Sequence, residues 1–187
     1  MGDRSSQRAA VFAALAQGMD LPGVRERFGL TAGELQELFQ EAAGLYRDTE
    51  EGYWRLYCDG ASRGNPGPAG AGVVLFDPEG RERLRKGRYL GRTTNNVAEY
   101  QALLLGLAEA HRLRITRLKV FADSELLVKQ LTGHYRVKSP HLLPLWNESR
   151  QALQRFEAYT ITHIPREENR EADAVANQAI DQRPPAR

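Results

Sequence analysis

The hydrophobic period of the chain changes near Tyr53, and this change limits the possible folds more than any other feature of the sequence. Before Tyr53, apolar residues recur at helical spacing, whereas after it short apolar strands alternate with longer helical stretches. Strands and helices that alternate after an initial meander are typical of a mixed sheet with helices packed on it. We therefore predict an α/β fold with a mixed five-stranded sheet flanked by helices, preceded by a small all-α domain.

The part of the chain after Tyr53 contains five predicted strands and four predicted helices. The strands cover residues 53–58, 72–76, 84–90, 118–122 and 159–164. The helices cover residues 95–112, a segment that ends at Leu131, residues 140–156 and residues 169–180. A turn signal at Asp59-Gly60 predicts that the first strand ends there, and residues 77–80 form a second predicted turn.

The first fifty residues predict a small helical unit with a helix-turn-helix-like layout. Residues 9–16 and 24–28 are helical in pattern, Gly29 is a C-cap candidate, and Thr31 with Glu34 forms a capping-box pair at the start of a third helix. Residues 1–50 contain five Lys/Arg and eight Asp/Glu, so their net charge is −3. Because the whole chain carries +2, the remaining residues carry +5. Since a DNA-reading helix needs basic residues, we predict a protein-contact or domain-packing module and consider DNA binding the poorer alternative.

These patterns predict four segments and an intracellular protein. We predict a helical domain at 1–46, a linker at 47–52, the α/β domain at 53–181 and a disordered tail at 182–187. The lone Cys58 excludes an intramolecular disulfide and a thiolate metal cage, and this fits a reducing compartment. No apolar run is long enough to span a bilayer, and the polar N-terminus has no signal-peptide shape, so we expect a cytoplasmic protein without a membrane partner.

Four acidic residues occupy positions from which they could converge on one site. Asp59 and Asp123 each follow a predicted strand, whereas Glu99 and Asp173 lie near the starts of predicted helices, beside the apolar stripe. Each acid alone has an ordinary explanation, as a turn residue or as a favourable charge at a helix start. Clustered together, the four carboxylates would repel one another strongly, and divalent cations would remove that cost. Hard oxygen ligands suit Mg²⁺ or Mn²⁺.

Four sequence motifs around these acids resemble, in order, those of the type 1 ribonuclease H family. They are CDGASRGNPGPAG at residues 58–70, TTNNVAEY at 93–100, FADSELLV at 121–128 and NREADAVA at 169–176. Together the motifs cover residues 53 to about 180. One such motif would be weak evidence, but four in the family order are specific.

The resemblance implies a ribonuclease H-like fold and hydrolysis of the RNA strand of RNA–DNA hybrids by two-metal-ion catalysis. It implies that Asp59, Glu99, Asp123 and Asp173 hold two Mg²⁺ ions, with Mn²⁺ possible, and that the products carry 5′-phosphate and 3′-hydroxyl ends. The same site could instead cleave double-stranded RNA, or the chain could bind hybrids without cleaving them. A structural role in a larger complex is a further alternative.

The resemblance also suggests residues that would contact the substrate and assist catalysis. Asn65, Asn95 and Asn96 match family positions at the minor groove of the hybrid, although a turn and a helix cap would also explain them. Gly64 belongs to a glycine-rich turn beside Asp59, where the backbone could approach a nucleic-acid strand closely. The stretch at 131–141 is short, as in family members that lack a basic protrusion. The family carries a loop histidine before the last aspartate. His163 matches its spacing but falls in a predicted strand, so we favour Arg166, in the loop itself, as the assisting residue.

Overall fold

The computed structural model describes residues 3–40 and 52–182. The chain divides into two compact units, Met1–Glu51 and Gly52–Arg187, and each is described by itself. Except for Gly52 and Gln182, the predicted linker at 47–52 and the predicted tail at 182–187 lie outside the described residues.

Within residues 3–40 the first unit contains three helices, and two of the helix caps that its sequence predicts are present. The helices are α1 (Asp3–Ala16), α2 (Leu21–Phe28) and α3 (residues 32–40). Gly29 ends α2 in the left-handed conformation with φ of 63°, as expected for a C-cap. The backbone N–H of Thr31 donates to Glu34 at 2.8 Å and that of Glu34 to the Thr31 hydroxyl at 3.2 Å, which confirms the capping box.

A small apolar core holds the helices of the first unit together. It is formed by Val11 and Ala14 of α1, Val24 of α2 and Leu35 of α3. Each of the three helices therefore contributes at least one buried apolar residue to this core.

The second unit is built on a mixed five-stranded sheet. The strands are β1 (Trp54–Ser62), β2 (Gly67–Phe76), β3 (Glu82–Thr93), β4 (Arg117–Ala122) and β5 (Ala158–His163). Their order in the sheet is β3-β2-β1-β4-β5. The first three strands form an antiparallel meander, whereas β4 and β5 run parallel to β1. This arrangement confirms the predicted fold class.

Helices cover both faces of this sheet. They are α4 (Asn95–Arg112), α5 (Glu125–Leu131), α6 (Leu143–Leu153), a 3₁₀ turn (Arg166–Glu168) and α7 (Arg170–Asp181). The main core, which includes Leu56, Val73 and Leu103, lies between α4 to α6 and one sheet face. The helix α7 packs on the other face of β1, β2 and β3, where Gly72 allows its backbone to approach closely.

The predicted turn at Asp59-Gly60 is wrong, because β1 continues through both residues to Ser62. The antiparallel ladder with β2 runs unbroken from Arg55 opposite Phe76 to Ser62 opposite Ala69. These pairs satisfy the backbone N–H and C=O groups of the strand, and they outweigh the local turn propensity of Asp59-Gly60. Asp59 therefore lies inside β1, and the strand itself fixes its direction.

Several other boundaries differ from prediction, and for the two strands the reason is again pairing within the sheet. The strand β2 begins at Gly67 rather than at residue 72, and β3 extends from Glu82 to Thr93 because it pairs along almost the whole of β2. The helix α6 covers Leu143–Leu153, a shorter span than the predicted 140–156. Among the described residues, no helix is both long enough and apolar enough to cross a membrane.

Candidate active site

The four predicted acids meet at the carboxyl ends of β1 and β4. Asp59 lies in β1, and Asp123 follows β4, which pairs directly with β1 in parallel. Glu99 lies in the first turns of α4, on one side of the sheet, and Asp173 in the first turn of α7, on the other. Strands and helices from both sides of the sheet thus bring together side chains that are up to 114 residues apart, from 59 to 173.

Three of the carboxylates are close enough to share one cation. Asp59, Glu99 and Asp123 each offer an oxygen atom, and these three atoms all lie within 4.8 Å of one another. Asp173 lies at the same cleft, near enough for its charge to raise the pKa of Asp59. The four acids line an open cleft of about 520 Å³ together with Asn177 and Arg166.

Burial and mutual repulsion disfavour the charged forms of two of these acids. Asp59 is 4% exposed, and burial together with the charges of Asp123 and Asp173 raises its pKa to about 7. Glu99 is 6% exposed, and burial and the charges of Asp59 and Asp123 raise its pKa well above the ordinary value. The site is therefore unfavourable in its fully ionised form unless positive charge is added.

Gly60 lets α4 approach β1 closely enough to place Glu99. A Cβ atom at Gly60 would lie 2.1 Å from the carbonyl carbon of Ala98 and from the backbone nitrogen of Glu99. Real atoms cannot come so close, so only glycine fits here. The Gly60 N–H also donates a hydrogen bond to Glu99 Oε2 at 3.3 Å, and the Asn95 amide donates to Oε1 at 3.4 Å. Backbone contact and hydrogen bonding together position Glu99.

Asn169 connects β1 and the residue after β4 to the start of α7. Its side chain is fully buried, and Nδ2 donates to the Cys58 carbonyl at 3.0 Å and to Asp123 Oδ1 at 2.8 Å. Its Oδ1 is buried without a hydrogen-bond partner among the described residues. In the sequence this asparagine stands out only as part of the fourth motif, without a predicted role of its own. Its spacing of four residues from Asp173 was the available signal.

Arg166 lies at the acid cluster, whereas His163 lies outside its lining. The Arg166 Nη2 atom donates to Asp173 Oδ1 at 2.9 Å, and the guanidinium is mostly exposed. His163 is the last residue of β5 and is exposed to solvent. The 3₁₀ turn that begins at Arg166 directs this side chain back toward the cleft. A catalytic role for either residue stays a prediction.

The predicted substrate-contacting residues lie around the start of α4. The Asn65 side chain accepts a hydrogen bond from the Asn95 backbone N–H at 3.2 Å, which joins the β1–β2 turn to α4. Gly64 adopts a φ of 108° in this turn, a conformation that favours glycine. The helix cap is Thr94, whose side chain accepts from Val97, so neither Asn95 nor Asn96 is needed as the cap.

A second cleft, missed by the sequence analysis, adjoins these asparagines. It has a volume of about 610 Å³, and its polar lining comes from Asn65, Arg92, Thr94, Asn96, Ser139 and His141. The Arg92 side chain is exposed, and its guanidinium suits a phosphate. The lining comes from three segments that are distant in sequence, so no local sequence pattern predicts this cleft.

The acid cluster fits a hard divalent cation. All four side chains offer carboxylate oxygens, the ligand type that Mg²⁺ and Mn²⁺ prefer. Arg166 pairs with Asp173, yet the pKa of Asp59 stays raised even though Arg166 lowers it. The cluster thus needs more positive charge than this arginine provides, and divalent cations would supply it.

Comparison with known proteins places this site in a known family. A family profile described as reverse transcriptase-like matches residues 57–179. Ribonuclease HI of Halobacterium salinarum is 44% identical over 125 residues, which cover 67% of this chain and 63% of that protein. Bifunctional protein Rv2228c of Mycobacterium tuberculosis is 42% identical over 127 residues, covering 67% of this chain and 35% of that protein. The chain therefore spans less than two thirds of the length of these curated relatives.

Solved structures agree with the sequence comparison. The crystal structure of RNase H1 from Halobacterium salinarum NRC-1 matches with a TM-score of 0.69 and 42% identity, covering 71% of this chain and 100% of that one. LC11-RNase H1, isolated from compost and solved in complex with an RNA/DNA hybrid, matches with a TM-score of 0.66 and 40% identity, covering 69% and 97%. All four acids lie within the matched residues, and the chain belongs to the type 1 ribonuclease H family.

Proposed function

We propose that this chain is an endonuclease that hydrolyses the RNA strand of RNA–DNA hybrids. The observation that carries the proposal is the group formed by the buried Asp59 and Glu99 and the half-buried Asp123, whose oxygens lie within 4.8 Å of one another. The similarity to LC11-RNase H1, which was solved with an RNA/DNA hybrid, supports the choice of substrate.

In this proposal the four carboxylates hold Mg²⁺, with two ions as the family resemblance implies and Mn²⁺ as an alternative. When bound, such ions would promote deprotonation of the attacking water and stabilise negative charge on the leaving oxygen of the phosphodiester. Asp59 lies in β1, the central strand of the sheet, and Asp123 directly follows β4, whereas Glu99 is held by Gly60 and Asn95. The Asn169 amide orients Asp123 through one hydrogen bond, and through a second one, to the Cys58 carbonyl, it links the start of α7 to β1.

Two further residues at the site, Arg166 and Cys58, could in principle take part in the proposed reaction. The Arg166 guanidinium can bind the scissile phosphate, but it cannot relay a proton near neutral pH, because it stays charged. Burial, with the charges of Glu99, Asp59 and Asp123, raises the pKa of the Cys58 thiol, so this residue is a poor nucleophile. As the family resemblance implies, we propose direct attack by water and products with 5′-phosphate and 3′-hydroxyl ends.

The hybrid would lie across the start of α4. Amide groups of Asn65, Asn95 and Asn96 both donate and accept hydrogen bonds, which suits a 2′-hydroxyl and base edges in a minor groove. The adjoining cleft with Arg92 would hold a backbone phosphate at the same time. Phosphate binding and 2′-hydroxyl contacts together would select a hybrid by shape rather than by sequence.

The direct test is cleavage of a matched RNA–DNA hybrid, double-stranded RNA and double-stranded DNA with Mg²⁺ or Mn²⁺. We expect cleavage of the RNA strand of the hybrid, reduced by at least about 100-fold in Asp59→Asn because several kcal/mol of metal-derived stabilisation are lost. Asp77→Asn is the matched control, since Asp77 is similarly buried but follows β2, near the opposite end of β1 from the acid cluster.

Each other outcome of this test contradicts the proposal in a defined way. Preferred cleavage of double-stranded RNA would establish that alternative substrate. Tight binding of the hybrid without cleavage in either metal would identify a non-cleaving hybrid-binding module. Cleavage that survives Asp59→Asn would place the chemistry outside the acid cluster.

A further inference from the structure

Asn177 is a polar residue of the acid cleft that the proposed reaction does not use. It lies in α7 one helical turn after Asp173, and its side chain is half-buried. The lining of the cleft comes entirely from residues between 59 and 177, all of them in the second unit. The neighbours of Asn177 in the cleft are therefore known from the second unit alone.

The helix α7 does not need this asparagine for its own stability. In an α-helix the Asp173 carbonyl accepts the backbone N–H four residues further on, which is that of Asn177. The Asn177 Nδ2 atom donates to the same carbonyl at 2.9 Å. Asparagine is also a weaker helix former than alanine, lysine or glutamine. The side-chain bond thus adds little to the helix, but it fixes the direction of the amide.

The same bond leaves the oxygen of this amide available. Within residues 3–40 and 52–182, the Asn177 Oδ1 atom accepts no hydrogen bond. A side-chain amide oxygen has two lone pairs with which it can accept. Because Asn177 lines the cleft, it offers a hydrogen-bond acceptor there in a fixed orientation.

The other neutral polar side chains that line the cleft have structural tasks. The Ser62 hydroxyl is held by backbone carbonyl groups, and Ser124 is the N-cap of α5. The Asn95 amide donates to Glu99. Among these side chains Asn177 is therefore the one whose hydrogen bond serves neither the fold nor an acid of the cluster.

A neutral acceptor beside the acids suits a hydroxyl group better than a phosphate. The charge of a phosphate would be met by the cations and by Arg166, and an amide oxygen would only repel it. A phosphate would need the N–H end of the amide, which is bound to the Asp173 carbonyl. A hydroxyl group can donate to the oxygen. In an RNA strand the 2′-hydroxyl is the group that distinguishes ribose from deoxyribose.

The position of Asn177 places it next to the scissile phosphate. It lies about 6 Å along α7 from Asp173, since four residues rise by about 1.5 Å each. Ala61, two residues after Asp59 in β1, lines the same cleft. The cleft thus continues past the acids between β1 and α7, and the nucleotide beside the scissile phosphate would lie in this continuation.

We propose that Asn177 Oδ1 accepts a hydrogen bond from the 2′-hydroxyl of the nucleotide next to the scissile phosphate and so helps to select RNA. The proposal rests on the proposed function, because it concerns the same cleft. Asn95 and Asn96 lie at the start of α4, on the other side of the sheet from α7. The RNA strand would then be contacted on both sides of the acid cluster.

The test is a mutant cycle that combines Asn177→Ala with single 2′-deoxy substitutions in the RNA strand of a hybrid. The full chain is used with Mg²⁺, and kcat/KM is measured at each phosphate of an end-labelled RNA strand. We expect a 2′-deoxy substitution at one nucleotide next to the cleaved phosphate to slow the wild-type chain by about two- to tenfold, as for one neutral hydrogen bond. Asn177→Ala should slow cleavage of the unsubstituted strand by a similar factor and show no further loss at that nucleotide.

Gln178→Ala is the matched control. Gln178 is the next amide side chain of α7, but it is exposed and lines a separate cavity with Tyr89 of β3. We expect this variant to show the same 2′-deoxy effects as the wild-type chain at every nucleotide. Alanine is a strong helix former, so both variants should fold, and urea melts verify this.

Two results would overturn the inference. If the effects of Asn177→Ala and of the 2′-deoxy substitution multiplied at every nucleotide, Asn177 would make no contact with a 2′-hydroxyl. If Gln178→Ala also abolished the effect at the same nucleotide, the contact would not belong to Asn177. A wild-type chain that cleaves no hybrid would refute the proposed function, whereas normal cleavage with multiplying effects would refute the present inference alone.

Discussion

Replacing Asp59 by asparagine should stabilise the metal-free protein and remove its response to Mg²⁺. Burial and the charges of Asp123 and Asp173 raise the pKa of Asp59 from 3.8 to about 7. A carboxyl group with a higher pKa in the folded chain than in the unfolded chain binds more protons when folded. The stability of the metal-free protein should therefore fall as pH rises from about 4 to about 7 and stay low above that range.

The magnitude follows from the same values. The difference between 3.8 and about 7 corresponds to an upper value of about 4 kcal/mol for ionising Asp59 in the folded protein. Part of this cost is shared with Asp123 and Asp173, which repel Asp59, so we expect Asp59→Asn to raise the free energy of unfolding by about 1–3 kcal/mol above pH 7. Below about pH 4 the carboxyl group is neutral in both states, and the gain should disappear.

The assay is urea denaturation of wild-type and Asp59→Asn protein in EDTA and in Mg²⁺, at pH values on both sides of 7. Mg²⁺ should stabilise the wild-type protein and leave Asp59→Asn nearly unchanged. Asp77→Asn is a control for which we expect the opposite change in the free energy of unfolding. Burial alone would raise the pKa of Asp77, but hydrogen bonds from the Arg81 backbone and side chain lower it, so its loss should destabilise the protein.

Two results would refute this reasoning. If Asp59→Asn destabilised the metal-free protein above pH 7, Asp59 would be a structural residue rather than a strained ligand. If Mg²⁺ stabilised both proteins equally, the cation would bind outside the acid cluster.

Three further predictions concern the surroundings of the cluster and the first unit. Arg166→Ala should lower kcat for hybrid cleavage more than His163→Ala, because Arg166 contacts Asp173 and His163 lies outside the cleft lining; steady-state assays giving the reverse order would contradict this. Asn169→Ala should destabilise the protein by about 2–4 kcal/mol in urea melts, since it removes one neutral and one charge-assisted hydrogen bond, and an unchanged midpoint would show that neither bond matters. Deleting residues 1–50 should leave the slope of hybrid affinity against salt unchanged, because that segment carries a net charge of −3; a markedly shallower slope would identify it as a nucleic-acid contact.

The sequence predicted those parts of the site that local patterns determine. Glu99 and Asp173 were expected near helix starts, and they are found in the first turns of α4 and α7. The capping box of Thr31 and Glu34 and the C-cap at Gly29 are also local, and both are confirmed. Such features depend on contacts within about four residues, so a single sequence is enough to recognise them.

Features set by distant contacts could not be predicted in this way. Asp59-Gly60 has the composition of a turn, but the ladder with β2 and the approach of α4 keep both residues in a strand. Asn169 occupies the N-cap position of α7, yet its side chain makes no cap and instead reaches Cys58, 111 residues away. In both cases tertiary packing overrides the local preference. The turn and cap propensities of glycine and asparagine would not have predicted this outcome.

The measurement that tests the central claim most directly is the chemical identity of the RNA ends after cleavage of a hybrid, determined by mass spectrometry with and without Mg²⁺. If water attacks at the cluster of Asp59, Glu99, Asp123 and Asp173, the fragments should carry 5′-phosphate and 3′-hydroxyl ends. These products should form only when the cation is present and Asp59 is intact. Fragments ending in a 2′,3′-cyclic phosphate, or formed equally in EDTA, would show that the RNA's own 2′-hydroxyl attacks and would contradict this account.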